Sequence, residues 1–276
     1  MTGNRRPRVL VVNAYVDPWR SAAPTRLFIP RAVAPYYLAG RFCPDRTEIR
    51  VHDEVHHGAL LDPRLFEWPD LVVLTGLTLS FDRARQLSAY FRNARPGIPI
   101  AIGGPIARAL PRLCETVFDY VCLGDVESLD ELIDAALGEG YRADDPAPRF
   151  DMIGWSYGLG YIETTRNCNF SCAFCSLTGE NRAYQQYSSG EISRQFKALG
   201  RVTMLMVLDN NFTETTARIS SVVSICSARI GAAATSGGGG LWSRAISSRT
   251  RTIWHSSRQT AARPCSPVLN HSTRWC

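Results

Sequence analysis

The run Leu71-Val72-Val73-Leu74-Thr75-Gly76, the stretch FDRARQLSAYFRNA from Phe81 to Ala94, and the run Ile98-Pro99-Ile100-Ala101-Ile102-Gly103-Gly104-Pro105 read as strand, helix, strand. Short β-branched and aliphatic runs ended by turn residues fit strands buried on both faces. Phe81, Ala84, Leu87, Phe91 and Ala94 recur at helical spacing behind Ser80 as an N-cap. The pattern extends outward on both sides. Val9-Leu10-Val11-Val12 and Glu48-Ile49-Arg50-Val51 precede it; Tyr120-Val121-Cys122-Leu123 comes after it, then a helix with Leu129, Leu132, Ile133 and Ala136 on one face behind Asp125. Strands alternating with helices predict an α/β fold with a flavodoxin-like (Rossmann-like) parallel sheet over residues 1–138. In such a sheet a ligand lies at the carboxyl ends of the strands, here the turns Asn13 to Asp17, Gly76 to Thr78, Gly103-Gly104-Pro105 and Gly124-Asp125. No glycine-rich dinucleotide fingerprint follows the first strand, which argues against a nicotinamide or flavin site. Gly103-Gly104 admits two readings, close approach of a flat ligand or a tight strand-to-helix turn.

The 276 residues are 45% hydrophobic and 20% charged, a globular composition that excludes a collagen, a disordered chain and a small disulfide scaffold. No apolar run reaches the roughly 20 residues needed to span a bilayer, and Met1 to Arg6 leads straight into a strand with no signal-peptide core, so the expected location is the cytoplasm, without membrane attachment. The net charge of +6 invites a nucleic-acid partner, but its distribution removes that reading. From Thr215 to Cys276 there are eight Arg and no acidic residue, which leaves 23 basic against 25 acidic side chains before it. The body of the chain is close to neutral.

Nine Cys in a reducing compartment point to ligation or free thiols. Six are scattered, and Cys168, Cys172 and Cys175 fall together in Cys168-Asn169-Phe170-Ser171-Cys172-Ala173-Phe174-Cys175, a C-x3-C-x2-C spacing between a strand and a helix. A structural zinc takes four protein ligands, and the nearest histidines are the distant His57 and His255. A Cys172-x-x-Cys175 redox dithiol does not need Cys168. Buried, unligated thiols do not suit the polar neighbours Asn167, Asn169 and Ser171. A four-iron cluster is usually held by four Cys, so three thiolates leave one iron open to a small molecule.

The spacing C-x3-C-x-aromatic-C after a strand resembles the radical S-adenosylmethionine (SAM) superfamily, with Phe174 at the aromatic position. The resemblance implies a [4Fe–4S] cluster on Cys168, Cys172 and Cys175, SAM on the open iron, adenine beside Phe174, and reductive cleavage of SAM to a 5′-deoxyadenosyl radical. It also implies an electron donor such as a flavodoxin or ferredoxin and a small-molecule substrate. It places Asp209, Asn210 and Asn211 near SAM at the end of the second barrel strand; an ordinary polar turn is the competing reading. Residues 1–138 resemble the cobalamin-binding domain that precedes the radical SAM barrel in one subfamily, with Gly103, Gly104, Pro105 and Gly124 as the matching positions. The D-x-H-x-x-G lower-ligand motif is missing after the first strand. Asp53-Glu54-Val55-His56-His57-Gly58 places its histidine one position late and follows the second strand, so His56 and His57 are expected on a surface loop. Cobalamin without a histidine ligand, with methyl transfer or rearrangement as the reaction, and no cobalamin at all both stand open, as does a scaffolding or metal-binding module without catalysis.

Residues 139–157 read as a linker and 158–214 as the start of a partial (β/α) barrel. A strand within Leu159 to Thr165 is followed by the cysteine loop, a capping box Ser188-x-x-Glu191 opening a helix with Ile192, Phe196 and Leu199 on one face, and a strand within Val202 to Leu208. After Glu214 the text changes: 12 Ser in 62 positions, a Gly237 to Gly240 run and no sustained period. A basic, disordered tail is one reading, although Trp242, Trp254 and Trp275 are unusual for it. Read from the third base of each codon, compatible codons turn Arg244 to Trp254 into R-D-F-F-E-D-P-D-N-L-A and Cys265 to Thr273 into F-S-G-V-E-S-L-D plus a further residue. The acidic residues return in that frame. The expectation is a frameshift near Ala217 to Ile219, a disordered 215–276 tail and a chain that is inactive as written.

Overall fold

A computed structural model of the chain describes residues 5–15, 32–153, 159–180, 182–200, 202 and 204–210, all within one unit, Met1–Phe212. Asp17, Asn211 and the expected tail lie outside the described residues.

Five strands, β1 (Arg8–Ala14), β2 (Glu48–Asp53), β3 (Leu71–Gly76), β4 (Ile100–Gly103) and β5 (Tyr120–Cys122), form one parallel sheet in the order β2-β1-β3-β4-β5. This is the expected flavodoxin-like order, with its switch point between β1 and β3. Because side chains alternate along a strand, Leu10, Val12, Val72, Leu74, Ile100 and Ile102 face one way and Val9, Val11, Leu71, Val73 and Ala101 the other. On the second face lie α1 (Ala34–Ala39) and α7 (Leu129–Leu137), contributing Ala39, Leu129, Leu132 and Ile133. The short α2 (Glu54–His57) follows β2 directly, while α3 (Pro63–Glu67), α4 (Phe81–Ala94), α5 (Pro105–Ala109) and α6 (Pro111–Glu115) supply the first face with Phe66, Leu87, Phe91, Ile106 and Cys114.

Two expected caps are used differently. Ser80 stands at the N-cap of α4, but its side chain makes no cap hydrogen bond and its Oγ is buried, because a 3-10 turn over Thr78–Ser80 already leads into the helix. Asp125 likewise caps nothing; a second 3-10 turn over Val126–Ser128 precedes α7, and the Asp125 carboxylate is paired with Arg182.

The segment expected as a linker is packed along the sheet domain up to Ile153. Arg142 bridges Phe42, Ala143 N–H donates to Arg41 O, and Arg149 N–H donates to Tyr36 O. Phe150 and Ile153 are buried, with Phe150 edge-on to Tyr37 at 5.6 Å between ring centroids. They join Tyr36, Tyr161, Ile162 and Leu199 in a third core, so this stretch ties the sheet to the elements on its C-terminal side.

Those elements are β6 (Leu159–Ile162), β7 (Thr165–Arg166), α8 (Ser176–Glu180), β8 (Gln185–Gln186), α9 (Ser189–Leu199) and β9 (Met204–Val207). β6 and β9 pair in parallel, Leu159 opposite Met204 and Ile162 opposite Val207, making a β–α–β unit. β7 and β8 form a two-residue antiparallel clasp around the cysteine loop. The capping box is present: Ser188 Oγ accepts from Glu191 N–H, and the Glu191 carboxylate accepts from Ser188 N–H. A Cβ on Gly160 would lie 2.8 Å from both Leu199 and Val202, so the glycine lets the end of α9 approach β6 closely.

One charged pair is buried beside the sheet. Glu54, at the start of α2, accepts from Arg83 Nη2 at 2.6 Å, from Arg83 Nε, and from the N–H groups of Leu60 and Tyr15. Burial alone would raise its pKa, but these donors hold it lowered. Replacing Arg83 with Ala leaves that carboxylate without its charge partner, and the expected loss is about 3–5 kcal/mol in urea denaturation. Arg83→Met with Glu54→Leu should recover only part of this, because the N–H groups of Leu60 and Tyr15 lose their acceptor.

Candidate functional site

The carboxyl ends of β3, β4 and β5 open on a half-open cavity of about 250 Å³ lined on its other side by residues from the β6–β9 unit. It brings together four positions expected for a ligand on the sheet, Gly103, Gly104, Pro105 and Gly124, with Asn210 from the turn after β9. Val73, Ala101, Leu129 and Leu208 give it apolar walls. The two glycines divide the roles between which the sequence leaves them. Gly104 has φ +79°, and a Cβ there would meet Thr75 Oγ1 at 2.7 Å, so the strand-to-helix turn requires it. A Cβ on Gly103 would meet nothing closer than Cys122 Cβ at 3.4 Å. No clash demands that glycine, and its missing side chain leaves the cavity wall open.

Two residues that the sequence pattern does not single out, Glu163 just after β6 and Thr165 at the start of β7, line the same cavity. Gln195 of α9 fixes the first from behind: Gln195 Oε1 accepts from Glu163 N–H at 3.0 Å, and Gln195 Nε2 donates to Glu163 O at 2.8 Å. The same Oε1 accepts from Tyr37 Oη at 2.6 Å. Burial pushes the Glu163 carboxyl up from 4.5 to about 7; Arg166 opposes this, and the Asp209 and Asp125 charges add to it. Tyr187 Oη stands 3.5 Å from Glu163 Oε2, and Arg166 Nε donates to that same phenol oxygen. Burial also raises the Tyr187 pKa, reinforced by the Glu163 charge. Thr165 is 4% exposed, and its Oγ1 has no hydrogen-bond partner among the described residues.

Asp209 is brought to the site but does not line the cavity. Its Oδ1 accepts from the N–H groups of Thr164 and Thr165 at 2.7 and 3.0 Å, and Oδ2 accepts from Thr164 Oγ1. It therefore holds the bend from which the chain enters the cysteine loop. Asn167, with φ 60°, continues that turn, and its Nδ2 donates to Ala183 O at 2.7 Å across the base of the loop.

The loop itself carries three free thiols, Cys168 and Cys175 half-buried and Cys172 exposed. Cys175 N–H donates to Cys172 O, and the N–H groups of Thr178 and Gly179 turn back onto Cys175 O, so α8 starts directly from the third cysteine. Among the described residues no three His, Cys, Asp or Glu side chains are gathered as a metal-ligand set. Phe174 is 93% exposed. Three pairs link this segment to the sheet's carboxyl edge: Arg108 to Glu180 at 2.7 Å, Arg166 to Glu127 at 2.8 Å, and Arg182 to Asp125.

His56 and His57 stand on α2, not on a loop, because Asp53 caps that short helix by accepting from Val55 N–H. His57 is exposed, and its Nδ1 accepts from Asp53 N–H; His56 is half-buried. Neither lines the cavity.

Fold and site together define a flavodoxin-like α/β sheet whose carboxyl edge carries a cysteine-loop β–α–β unit, with a half-open cavity lined by residues of both. No family model matches the chain. It is similar to the hopanoid C-2 methylase of Rhodopseudomonas palustris (strain TIE-1), at 28% identity over 156 residues that make up 50% of this chain and 28% of the relative. The chain thus spans well under half the length of that curated relative. Among the described residues no helix is long and apolar enough to cross a membrane.

A carboxyl whose folded pKa lies above its unfolded value binds its proton more tightly when folded, so its stabilising effect is complete below about pH 4.5 and fades as pH rises through about 7. Unfolding by urea at pH 5 and pH 8 should show Glu163→Gln narrowing the difference between the two, chiefly by raising stability at pH 8. Equal pH dependence in both proteins would refute the buried-carboxyl assignment.

Proposed function

We propose that this chain carries the cofactor-binding part of a radical SAM enzyme that transfers a methyl group. The observation that carries the reading is the C-x3-C-x2-C thiol loop, held by Asp209 and Asn167 beside a cavity at the carboxyl edge of a flavodoxin-like sheet. The similarity to a protein named as a methylase supports the choice of reaction.

The donor set suits an iron–sulfur cluster: three free thiols on one loop, with no neighbouring histidine to complete a zinc site among the described residues. Cys168, Cys172 and Cys175 would hold the cluster, and Phe174, Asn210 and Asn211 would contact SAM. When bound, cluster and SAM supply a 5′-deoxyadenosyl radical on one-electron reduction, for which a flavodoxin or ferredoxin is the proposed donor. The chain's own contribution is positional. Asp209 sets the direction of the loop, the clasp of β7 with β8 closes its base, and Val73, Ala101 and Leu129 give the cavity an apolar wall on the side facing the sheet. The sheet's cofactor is proposed to be cobalamin bound without a histidine ligand, since His56 and His57 lie outside the cavity. At about 250 Å³ the cavity is below the roughly 300–1,000 Å³ of pockets that enclose drug-sized ligands, so it would take one portion of such a cofactor. The composition break after Glu214 belongs to the same proposal: the intact parent continues in another frame, which sequencing the gene across the codons for Ala217 to Ile219 tests.

Anaerobic reconstitution with iron and sulfide should load about four of each per chain in the wild type and markedly less in Cys172→Ala. Tight zinc without sulfide would overturn the cluster assignment. An absorbance titration with hydroxocobalamin should show a spectral change and retention on the protein. No change at high micromolar ligand would favour the scaffolding reading for the sheet.

A further inference from the structure

The polar wall of the cavity has a feature that neither the cluster nor the sheet glycines account for. Glu163, just after β6, and Thr165, at the start of β7, are two residues apart, and both line the cavity. Thr165 is 4% exposed; its N–H is taken by Asp209, but its Oγ1 has no partner among the described residues. An unmade hydrogen bond at a buried hydroxyl is costly, and turning the Thr165 side chain toward the cavity that the residue lines would let a bound group recover that cost.

The charges around this wall are already matched. The three guanidinium groups that line the cavity, Arg108, Arg166 and Arg182, are paired with Glu180, Glu127 and Asp125. Burial raises the Glu163 pKa to about 7, so the carboxyl is mostly protonated below neutral pH and about half so at pH 7. A wall with balanced charges, a carboxyl and an unpartnered hydroxyl suits a neutral group that both donates and accepts. A carboxamide meets this description, as does an amide-like ring edge: its N–H faces the carboxyl oxygen and its acceptor takes the threonine hydroxyl. The remaining walls, with Val73, Ala101 and Leu208 beside the bare Gly103, suit the flat apolar body attached to such an edge.

We propose that Glu163 and Thr165 form a ligand-positioning subsite that grips an uncharged amide-type donor–acceptor edge of the cofactor occupying this cavity. The assignment deepens the cofactor reading above and rests on it. Gln195 is the positioning residue behind the subsite, since it holds both the N–H and the carbonyl of Glu163.

Two cofactor groups share this chemistry, the adenine edge of SAM and the side-chain amides of cobalamin, so calorimetry is run with S-adenosylhomocysteine and with hydroxocobalamin on the full-length chain after anaerobic reconstitution. Thr165→Val keeps the shape and removes only the hydroxyl. It should leave the ligand-free protein as stable as the wild type or more so, while weakening one of the two probes about 3- to 10-fold. Glu163→Ala should weaken the same probe by a similar factor, and Glu163→Gln, which retains a donor and an acceptor, should restore affinity to within about twofold. The probe that responds identifies the source of the edge. Unchanged affinity for both probes in Thr165→Val and Glu163→Ala overturns the subsite, even where the cluster loads and the cofactor reading stands. Failure of both probes to bind wild type overturns it as well. Iron and sulfide content measured on the same samples shows separately whether the cluster assignment has failed.

Discussion

The carboxylate of Asp209 joins the end of β9 to the end of β6, and the cysteine side of the molecule depends on that junction. Backbone N–H groups at a sharp bend need acceptors, and Asp209 Oδ1 accepts from two of them, at Thr164 and Thr165. Oδ2 takes the Thr164 hydroxyl as well. A carboxylate used this way works as a structural acceptor: it stops β6, starts β7 and directs the chain toward Cys168. Pairing of β6 with β9 brings Asp209 within reach of the bend, so the parallel β–α–β unit supplies the acceptor that shapes the entry to the cysteine loop.

Attachment of this unit to the sheet is apolar first and electrostatic second. Tyr36, Phe150, Ile153, Tyr161, Ile162 and Leu199 share one buried cluster, and burial of a large side chain contributes roughly 1.5–3 kcal/mol. The three arginine–carboxylate pairs at the carboxyl edge are partly exposed, where such pairs are worth about 0–1 kcal/mol each. Their role is orientation. Arg108 reaches α8, Arg166 reaches the 3-10 turn before α7, and Arg182 reaches Asp125, so the cavity is edged by pairs whose partners come from opposite sides of it.

The sheet was legible in the sequence because its signals are local. Leu71 to Leu74 and Ile100 to Ile102 are apolar without interruption since parallel strands are covered on both faces, and the 3.6-residue period of Phe81 to Phe91 survives intact. The box Ser188-x-x-Glu191 was equally plain, being complete within four residues. The features that escape a linear reading all depend on distant partners. Gln195 sits among Ile192, Phe196 and Leu199 on α9 and looks like an exposed polar position, yet it is buried because Tyr37 and Glu163, 158 and 32 residues away, satisfy its amide. Ser80 and Asp125 have the right residue types for caps, but 3-10 turns had already met the helix starts by backbone bonds. Glu54 resembles part of a ligand motif until Arg83, 29 residues on, is seen to neutralise it.

The same contrast explains why the cysteines, Gly103 and Asn210 were recognisable in the sequence while Glu163 and Thr165 were not. A metal loop must present several ligands from a short stretch, because each added residue between them costs closure entropy, so its spacing survives in the linear text. A cavity has no such requirement. Gly103 comes from the end of β4, Glu163 from just after β6, Thr165 from the start of β7, and Asn210 from the turn after β9; they meet because the parallel strands of two separate sheets direct their carboxyl ends to the cavity. Gly104 shows how this misleads a linear reading. Its position beside Gly103 suggests a single glycine motif, but Thr75 on β3 accounts for Gly104 alone, and only Gly103 is left for a ligand to exploit. Pairs that are adjacent in sequence can answer to different constraints, and the packing across strands separates them.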